Sequence, residues 1–453
     1  MDPVPPPHDD DQGLELLGDH FRYGITTAAT CIESREVTGA GVSIWDVFAG
    51  APGRVTDHTY PRAGPDHLTH WRDDVALLAG LGIDSYRMSV SWSALAGEGP
   101  DGPSMDFYHR LLDAVTGAGL RPVVTLTHYD MPLVVMEQGG WLVRDTAETF
   151  AEFATEVVQR LGDRVDSWVT LNSPFIHSAL GYGIGIEAPG LTLLGGALTS
   201  ATHQLIGHGR AVQALRAGGA RRIGIANAHT RVLPAGPGAG DLAAAELYDA
   251  LHNRIFTDPV CGRGWPDSLT ALGGAPDFGA TDDDLAVIAT PLDFYGVNYY
   301  HPQWVAAEPE NRTVPFALVE TAADVPVDAF GWPIDPSALT DTLLALTRRH
   351  PGLPPLWVTE NGTQDPGGED DEHRGRYLTE HLRAVADAVG SGADVQGYFH
   401  WSLLDGWEFA EGLTRRFGLV AVDPVTRART PKRSYRMYQE LLAGRPGRRT
   451  PAG

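Results

Sequence analysis

Cysteine is almost missing from this chain of 453 residues: only Cys31 and Cys261 occur, and neither lies in a CxxC or Cys/His spacing. A disulfide framework is therefore excluded, both thiols are expected to be inert, and the reducing cytoplasm is the expected location. Basic residues are scarce as well, 34 Lys and Arg against 58 Asp and Glu, which leaves a net charge of -24. Such a surface repels phosphates and anionic lipid, so neither nucleic acid nor a membrane is expected as a partner. No apolar run reaches the roughly 18 residues that a membrane-spanning helix requires. The opening MDPVPPPHDDDQG carries acid where a signal peptide has positive charge followed by an apolar core. The 17 histidines form no HExxH or His/Asp ligand spacing, and neither a metal nor a cofactor is expected.

Apolar residues make up 43% of the chain, enough for a large core without covalent staples, and 53 glycines and 33 prolines suit many short loops. Residues 1–19 and 445–453 read as a disordered leader and a flexible tail around a single domain at 20–444. Within it, β-rich runs at 22–29, 84–92, 122–128, 167–172, 222–229, 293–300, 355–361 and 395–402 alternate with longer helical stretches. Several of the runs are continuously apolar, as strands of a parallel sheet covered on both sides are. The helical period shows in 144–161, where Phe150, Phe153, Ala154, Val157, Val158 and Leu161 share one face. Eight strand–helix units imply an α/β fold, a closed (β/α)8 TIM barrel. An open doubly wound sheet is the alternative, but no GxGxxG or P-loop follows a strand. The segment Gln364 to Glu372 reads as a solvated acidic turn.

In such barrels the carboxyl ends of the strands carry the chemistry. Here those ends hold His128, Asn172, Asn298, Glu360 and Trp401. A carboxylate at the end of a buried strand is either structurally paired or functional. Glu360, in VTENG, has potential partners at other strand ends in Arg87 of YRMSVSWS and Tyr300 of GVNYY. With Arg87 beside it and no opposing carboxylate, Glu360 is expected to ionise readily.

The motifs FRYGITTAATCIE, SIWDVF, YRMSVSWS, TLTHYDMP, TLNSP, GYGIGIEAPG, DFYGVNYY, VTENG and FHWSLLDGWEFAEGLTRRFGLV run in order along nearly the whole chain. Together they resemble the family-1 retaining β-glycosidases. The resemblance implies that Glu360 is the nucleophile that forms a covalent glycosyl-enzyme, with Arg87 and Tyr300 contacting it. It also implies that His128, Asn172 and Asn298 lie near the sugar, that Trp401 stacks on it, and that Glu408 binds its distal hydroxyls.

The departures matter as much. The family's Thr-Leu-Asn-Glu-Pro, whose glutamate is the general acid/base, reads Thr170-Leu171-Asn172-Ser173-Pro174. A serine hydroxyl cannot do that work near neutral pH. Cys31 stands where the family has a sugar-contacting glutamine, Phe409 and Tyr129 where it has tryptophans, Gly406 for an asparagine and Ala94 for an arginine. Glu187 takes the place of a histidine and is read first as a solvated entrance residue, second as a substitute proton donor. His177 and Tyr129 are read as packing groups, and His400 as facing the helices. The expected activity is that of a retaining β-glycosidase-like enzyme acting on a glycosylated small molecule: a transglycosidase using a glycosyl acceptor, or a hydrolase of activated glycosides. The rivals are a repurposed enzyme performing cyclisation, elimination or isomerisation, and a non-catalytic carbohydrate binder.

Overall fold

A computed structural model describes residues 14–35, 41–98, 101–272, 277–311, 313–320 and 325–445. Residues 1–13 and 446–453, most of the expected leader and tail, lie outside it. Leu14–Leu17 forms a 3-10 turn with Leu17 buried, so ordered chain begins ahead of residue 20.

Eight parallel strands close into one barrel: β1 Arg22–Thr26, β2 Ser85–Ser89, β3 Arg121–Thr127, β4 Ser167–Asn172, β5 Ile223–His229, β6 Phe294–Tyr299, β7 Leu356–Asn361 and β8 Val395–Trp401. Each overlaps an expected run, most of them trimmed where the chain turns into a loop, with β3 starting one residue earlier than expected. Each strand pairs with the next, and β1 closes the ring by pairing with both β2 and β8. The helix at Asp145–Leu161 buries the six apolar side chains that its period marked out. His400 is buried on the outer side of β8 near Tyr438, facing the helical layer as expected. A small three-stranded sheet, Val232–Pro234, Gln303–Ala307 and Phe316–Val319, is added outside the barrel. Among the described residues, no helix is long and apolar enough to cross a membrane.

The acidic segment after β7 departs from expectation. Its middle, 366–370, is exposed, but Asp365 and Asp371 are buried. Asp371 accepts hydrogen bonds from Arg374 Nε (2.8 Å) and from Ser434 N (2.8 Å) and Oγ (2.6 Å), tying the loop to the C-terminal helix Arg433–Gly444. A buried carboxylate is tolerable there because a buried guanidinium and a helix start satisfy it.

Large rings fill the lower lumen. Phe294 of β6 stacks on Trp357 of β7 at 4.0 Å, and Phe399 of β8 lies 5.7 Å beyond. Room for them comes from glycine. A Cβ on Gly24 of β1 would fall 2.3 Å from the Phe399 ring, and one on Gly224 of β5 would fall 2.5 Å from the Phe294 ring. The plug forms the floor on which the upper, polar layer rests.

Strand alternation by itself points Trp357 and Thr359 inward on β7 and sends Glu360 toward the helices. The register overrides this. Trp357 faces Gly296 on β6, but Glu360 rather than Thr359 faces Asn298, so β7 carries one extra residue. On β4, Val169 faces Gly224, yet Asn172 rather than Leu171 faces Ala226. Each bulge re-aims one polar side chain into the barrel mouth.

The plug makes a quantitative demand. Trp357→Ala should destabilise the fold by about 3–5 kcal/mol through lost burial and the cavity left behind. Gly224→Ala should cost about 1–3 kcal/mol through overpacking against Phe294. Urea unfolding of the three proteins checks both; a shift well below 1 kcal/mol in each would mean that the rings do not support the barrel.

Candidate active site

The site is built around Arg87. From β2 its guanidinium crosses the barrel mouth, fully buried. Nε donates to Thr125 Oγ1 on β3 (3.1 Å), Nη1 to Glu360 Oε1 (2.8 Å) and to the Thr359 carbonyl (3.1 Å) on β7, and Nη2 to Asn172 Oδ1 on β4 (2.6 Å). The other oxygen of Glu360 accepts from Tyr300 Oη (3.0 Å), just beyond β6. Glu360 is only 4% exposed.

Burial pushes its carboxyl above the ordinary glutamate range, and Arg87, Tyr300 and Asn172 only partly oppose that. The expectation of ready ionisation is thus corrected: desolvation outweighs the single ion pair.

Asn298 on β6 joins the network. It donates to Asn172 Oδ1 (2.8 Å) and to Ser173 Oγ (2.8 Å), while its own carbonyl oxygen accepts from Thr359 Oγ1 (2.7 Å). Ser173 is buried at the turn leaving β4, with φ of 39°. Asn172 Nδ2 donates to His128 Nε2 (2.9 Å) and to Tyr129 Oη (3.3 Å). Burial holds the His128 imidazole well below its usual pKa, so it is neutral and free to accept at Nε2.

The aromatic wall comes from the end of β8, the turn that follows it and the segment after β3. Trp401 lies 5.4 Å from the His128 ring, and Phe409 stacks on His128 at 5.9 Å and meets Tyr129 edge-on at 5.1 Å. Tyr129 has φ of 63°, its carbonyl accepts from Trp45 Nε1 (3.2 Å), and burial pushes its phenol well above the usual range. Burial thus keeps the phenol protonated, and its ring packs against His128 and Phe409. His177 lies parallel to it at 6.4 Å and is depressed by burial to about 3, which leaves it neutral.

Three further groups complete the mouth. Cys31 is buried, its thiol pushed well up by burial and by the nearby carboxyls of Glu408, Glu360 and Glu187. Glu408 is pushed up to about 8, first by burial and then by the charges of Asp405 and Glu360. Glu187 corrects the sequence reading of a solvated residue. It is only partly exposed, burial pushes it up to about 8, and its Oε2 is buried with no hydrogen-bond partner among the described residues. The loop leaving β4 folds back, with Glu187 N bonded to the Leu180 carbonyl (3.2 Å), and the carboxyl meets the backbone of Ala410 and the charge of Glu411.

All thirteen singled-out residues therefore converge on one end of the barrel. Sequence reasoning missed Thr125, Thr359 and Trp45, which orient Arg87, Asn298 and Tyr129. Trp45 sits in SIWDVF, a motif noticed without a role; the two threonines carry no signal outside the fold. Gly406 also gains a reason: a Cβ there would lie 3.1 Å from the Cys31 carbonyl. Nothing in the structure explains Ala94. Among the described residues no group of three His, Cys, Asp or Glu is placed to hold a metal.

A (β/α)8 barrel presenting a buried, arginine-bound glutamate amid aromatic and amide side chains has the architecture of a glycosidase. The family model for glycosyl hydrolase family 1 matches residues 14–445. Thermostable beta-glucosidase B of Thermobispora bispora is 40% identical over 94% of this chain and 90% of its own length. The psychrophilic beta-glucosidase BglU of Micrococcus antarcticus superposes with a TM-score of 0.90 at 36% identity, covering 95% of this chain and 98% of that one. The virulence factor SghA, solved with its substrate analogue salicin, gives a TM-score of 0.90 at 35% identity, covering 97% and 99%. The chain belongs to glycosyl hydrolase family 1.

Glu408 yields a test by its pH dependence. Its folded pKa of about 8 exceeds the unfolded value of roughly 4.3, so it binds its proton more tightly when folded. That contribution to stability is complete below the unfolded value and is lost as pH rises through 8. Glu408→Gln should therefore gain stability relative to the parent as pH goes from about 5 to 9. Thermal unfolding across that window checks this; parallel curves would show that Glu408 is not held neutral.

Proposed function

We propose that this protein is a retaining β-glycosidase-type enzyme acting on a glycosylated small molecule through Glu360, with Ser173 standing where an acid/base glutamate is needed. The observation that carries this reading is the pairing of a complete nucleophile, Glu360 between Arg87 and Tyr300, with a serine hydroxyl bonded to Asn298 at position 173.

A carboxylate oxygen of Glu360 attacks the anomeric carbon as its bond to the leaving oxygen breaks. The leaving group departs with the electron pair, so its own acidity must stabilise the charge. The glycosyl-enzyme ester is then opened by water or by another hydroxyl, whose proton passes to solvent as the Glu360 carboxylate is released. Aryl and other activated glycosides suit such a site. A general acid/base is worth roughly 10²–10⁴-fold in rate, so unactivated alkyl glycosides should be poor substrates. A mere carbohydrate binder would have no use for a nucleophile held by two partners.

Glu187 supports a second reading. A partly exposed carboxyl held near 8 is protonated at neutral pH, and it borders the same mouth. It is the residue to suspect if a proton is delivered at all.

The pH–rate profile on an aryl β-glycoside with a good leaving group tests the assignment. Activity should rise with a midpoint above the ordinary glutamate value as Glu360 ionises, because only the charged form attacks. Azide should accelerate turnover and give a glycosyl azide of retained configuration. Ser173→Glu should raise hydrolysis of an unactivated glycoside about 10-fold or more. An alkaline limb near 8 that disappears in Glu187→Gln, with no azide effect, would instead assign the proton transfer to Glu187.

A further inference from the structure

The amide of Asn172 has no hydrogen-bonding capacity to spare. Its oxygen has two acceptor positions, taken by Arg87 Nη2 (2.6 Å) and Asn298 Nδ2 (2.8 Å). Its nitrogen has two donors, directed at His128 Nε2 (2.9 Å) and Tyr129 Oη (3.3 Å). The two donors to the oxygen leave no choice about which way the amide points. Tyr129 is held by the Trp45 bond to its carbonyl and by the Phe409 ring at 5.1 Å, with Ser173 beside its hydroxyl.

These groups surround Glu360. Asn172 shares Arg87 with it, and His128 Nε2 lies 4.0 Å from Glu360 Oε1. When one carboxylate oxygen attacks an anomeric carbon, the substituent on the neighbouring ring carbon must lie in this same shell. In retaining enzymes a hydroxyl there forms hydrogen bonds that strengthen in the transition state. Here the donors that could serve it are already engaged, one of them by the phenol of Tyr129. Beyond them the wall is the apolar ring of Phe409, stacked on His128 at 5.9 Å.

We infer that Tyr129 is a specificity-determining residue whose hydroxyl occupies the place of the substrate's 2-hydroxyl, so that the site takes 2-deoxyglycosides. The inference rests on the nucleophilic role proposed for Glu360. It agrees with the serine at 173. A sugar lacking the electron-withdrawing 2-oxygen reaches its oxocarbenium-like transition state more easily, and so depends less on protonation of the leaving oxygen.

The test uses the full chain and two probes, 4-nitrophenyl β-D-glucopyranoside and its 2-deoxy counterpart, with each kcat/KM divided by the probe's spontaneous hydrolysis rate. The normalised ratio should favour the 2-deoxy probe by roughly 10-fold or more, the cost of burying a hydroxyl without a partner. Tyr129→Phe keeps the ring but frees one Asn172 N–H, and should move the ratio toward the 2-hydroxy probe by about 10-fold. A general packing defect would slow both probes alike and leave the ratio unmoved. With turnover lost in Glu360→Gln, a parental ratio at or below one, or a ratio unchanged in Tyr129→Phe, overturns the inference alone. Turnover that survives Glu360→Gln overturns the nucleophile assignment beneath it. Failure of both probes to react, with no tryptophan fluorescence change on adding either, overturns both.

Discussion

One buried guanidinium organises the mouth of this barrel. Arg87 reaches from β2 to groups on β3, β4 and β7; His128, Tyr129, Asn298 and Tyr300 are two hydrogen bonds from it and Ser173 three. A cation fully removed from water is tolerable only when its donors are satisfied and an anion lies close, and Glu360 provides that anion. The dependence is mutual, since without Arg87 burial alone would favour the protonated carboxyl of Glu360. The carboxylate proposed as nucleophile and the cation that organises the mouth are thus one ion pair.

The side chains hydrogen-bonded around that pair keep it in register. Thr125 and the Thr359 carbonyl fix the plane of the guanidinium; Thr359 Oγ1 fixes Asn298, and Asn298 fixes both Asn172 and Ser173. Below lies the plug of Phe294, Trp357 and Phe399, and Glu187, Cys31, Glu408 and Phe409 flank the ion pair at the mouth. Membership of glycosyl hydrolase family 1 sets the frame. Within it, Cys31, Tyr129, Ser173, Glu187 and Phe409 lie near one another at the mouth of the barrel.

Much of this was legible in the chain itself. Eight apolar runs at barrel spacing specify the strands because parallel strands must be covered on both faces. The helix at Asp145–Leu161 follows from its 3.6-residue period, and Glu360, Arg87 and Tyr300 stand out because polar groups at the ends of apolar strands need partners. Less legible were groups whose state depends on distant chain. Glu187 reads as a solvated loop residue, yet its loop folds back and burial raises its carboxyl to about 8. Asp371 reads as part of an acidic turn, yet Arg374 and Ser434 make it a buried anchor.

What the sequence determined by itself is therefore the set of elements and the residue types at their ends, since period and apolar content act over a few neighbouring residues. What only the tertiary structure decided is which way those residues point and which charge they carry. Alternation along β7 would send Glu360 outward; the extra residue in its pairing with β6 turns it in, and that register is a property of two strands. Likewise an isolated glutamate ionises near its ordinary value, and the departures of Glu360, Glu408 and Glu187 come from desolvation by residues far away in the chain. Desolvation and strand register exist only once distant segments are packed together, so no local pattern in the chain can carry them.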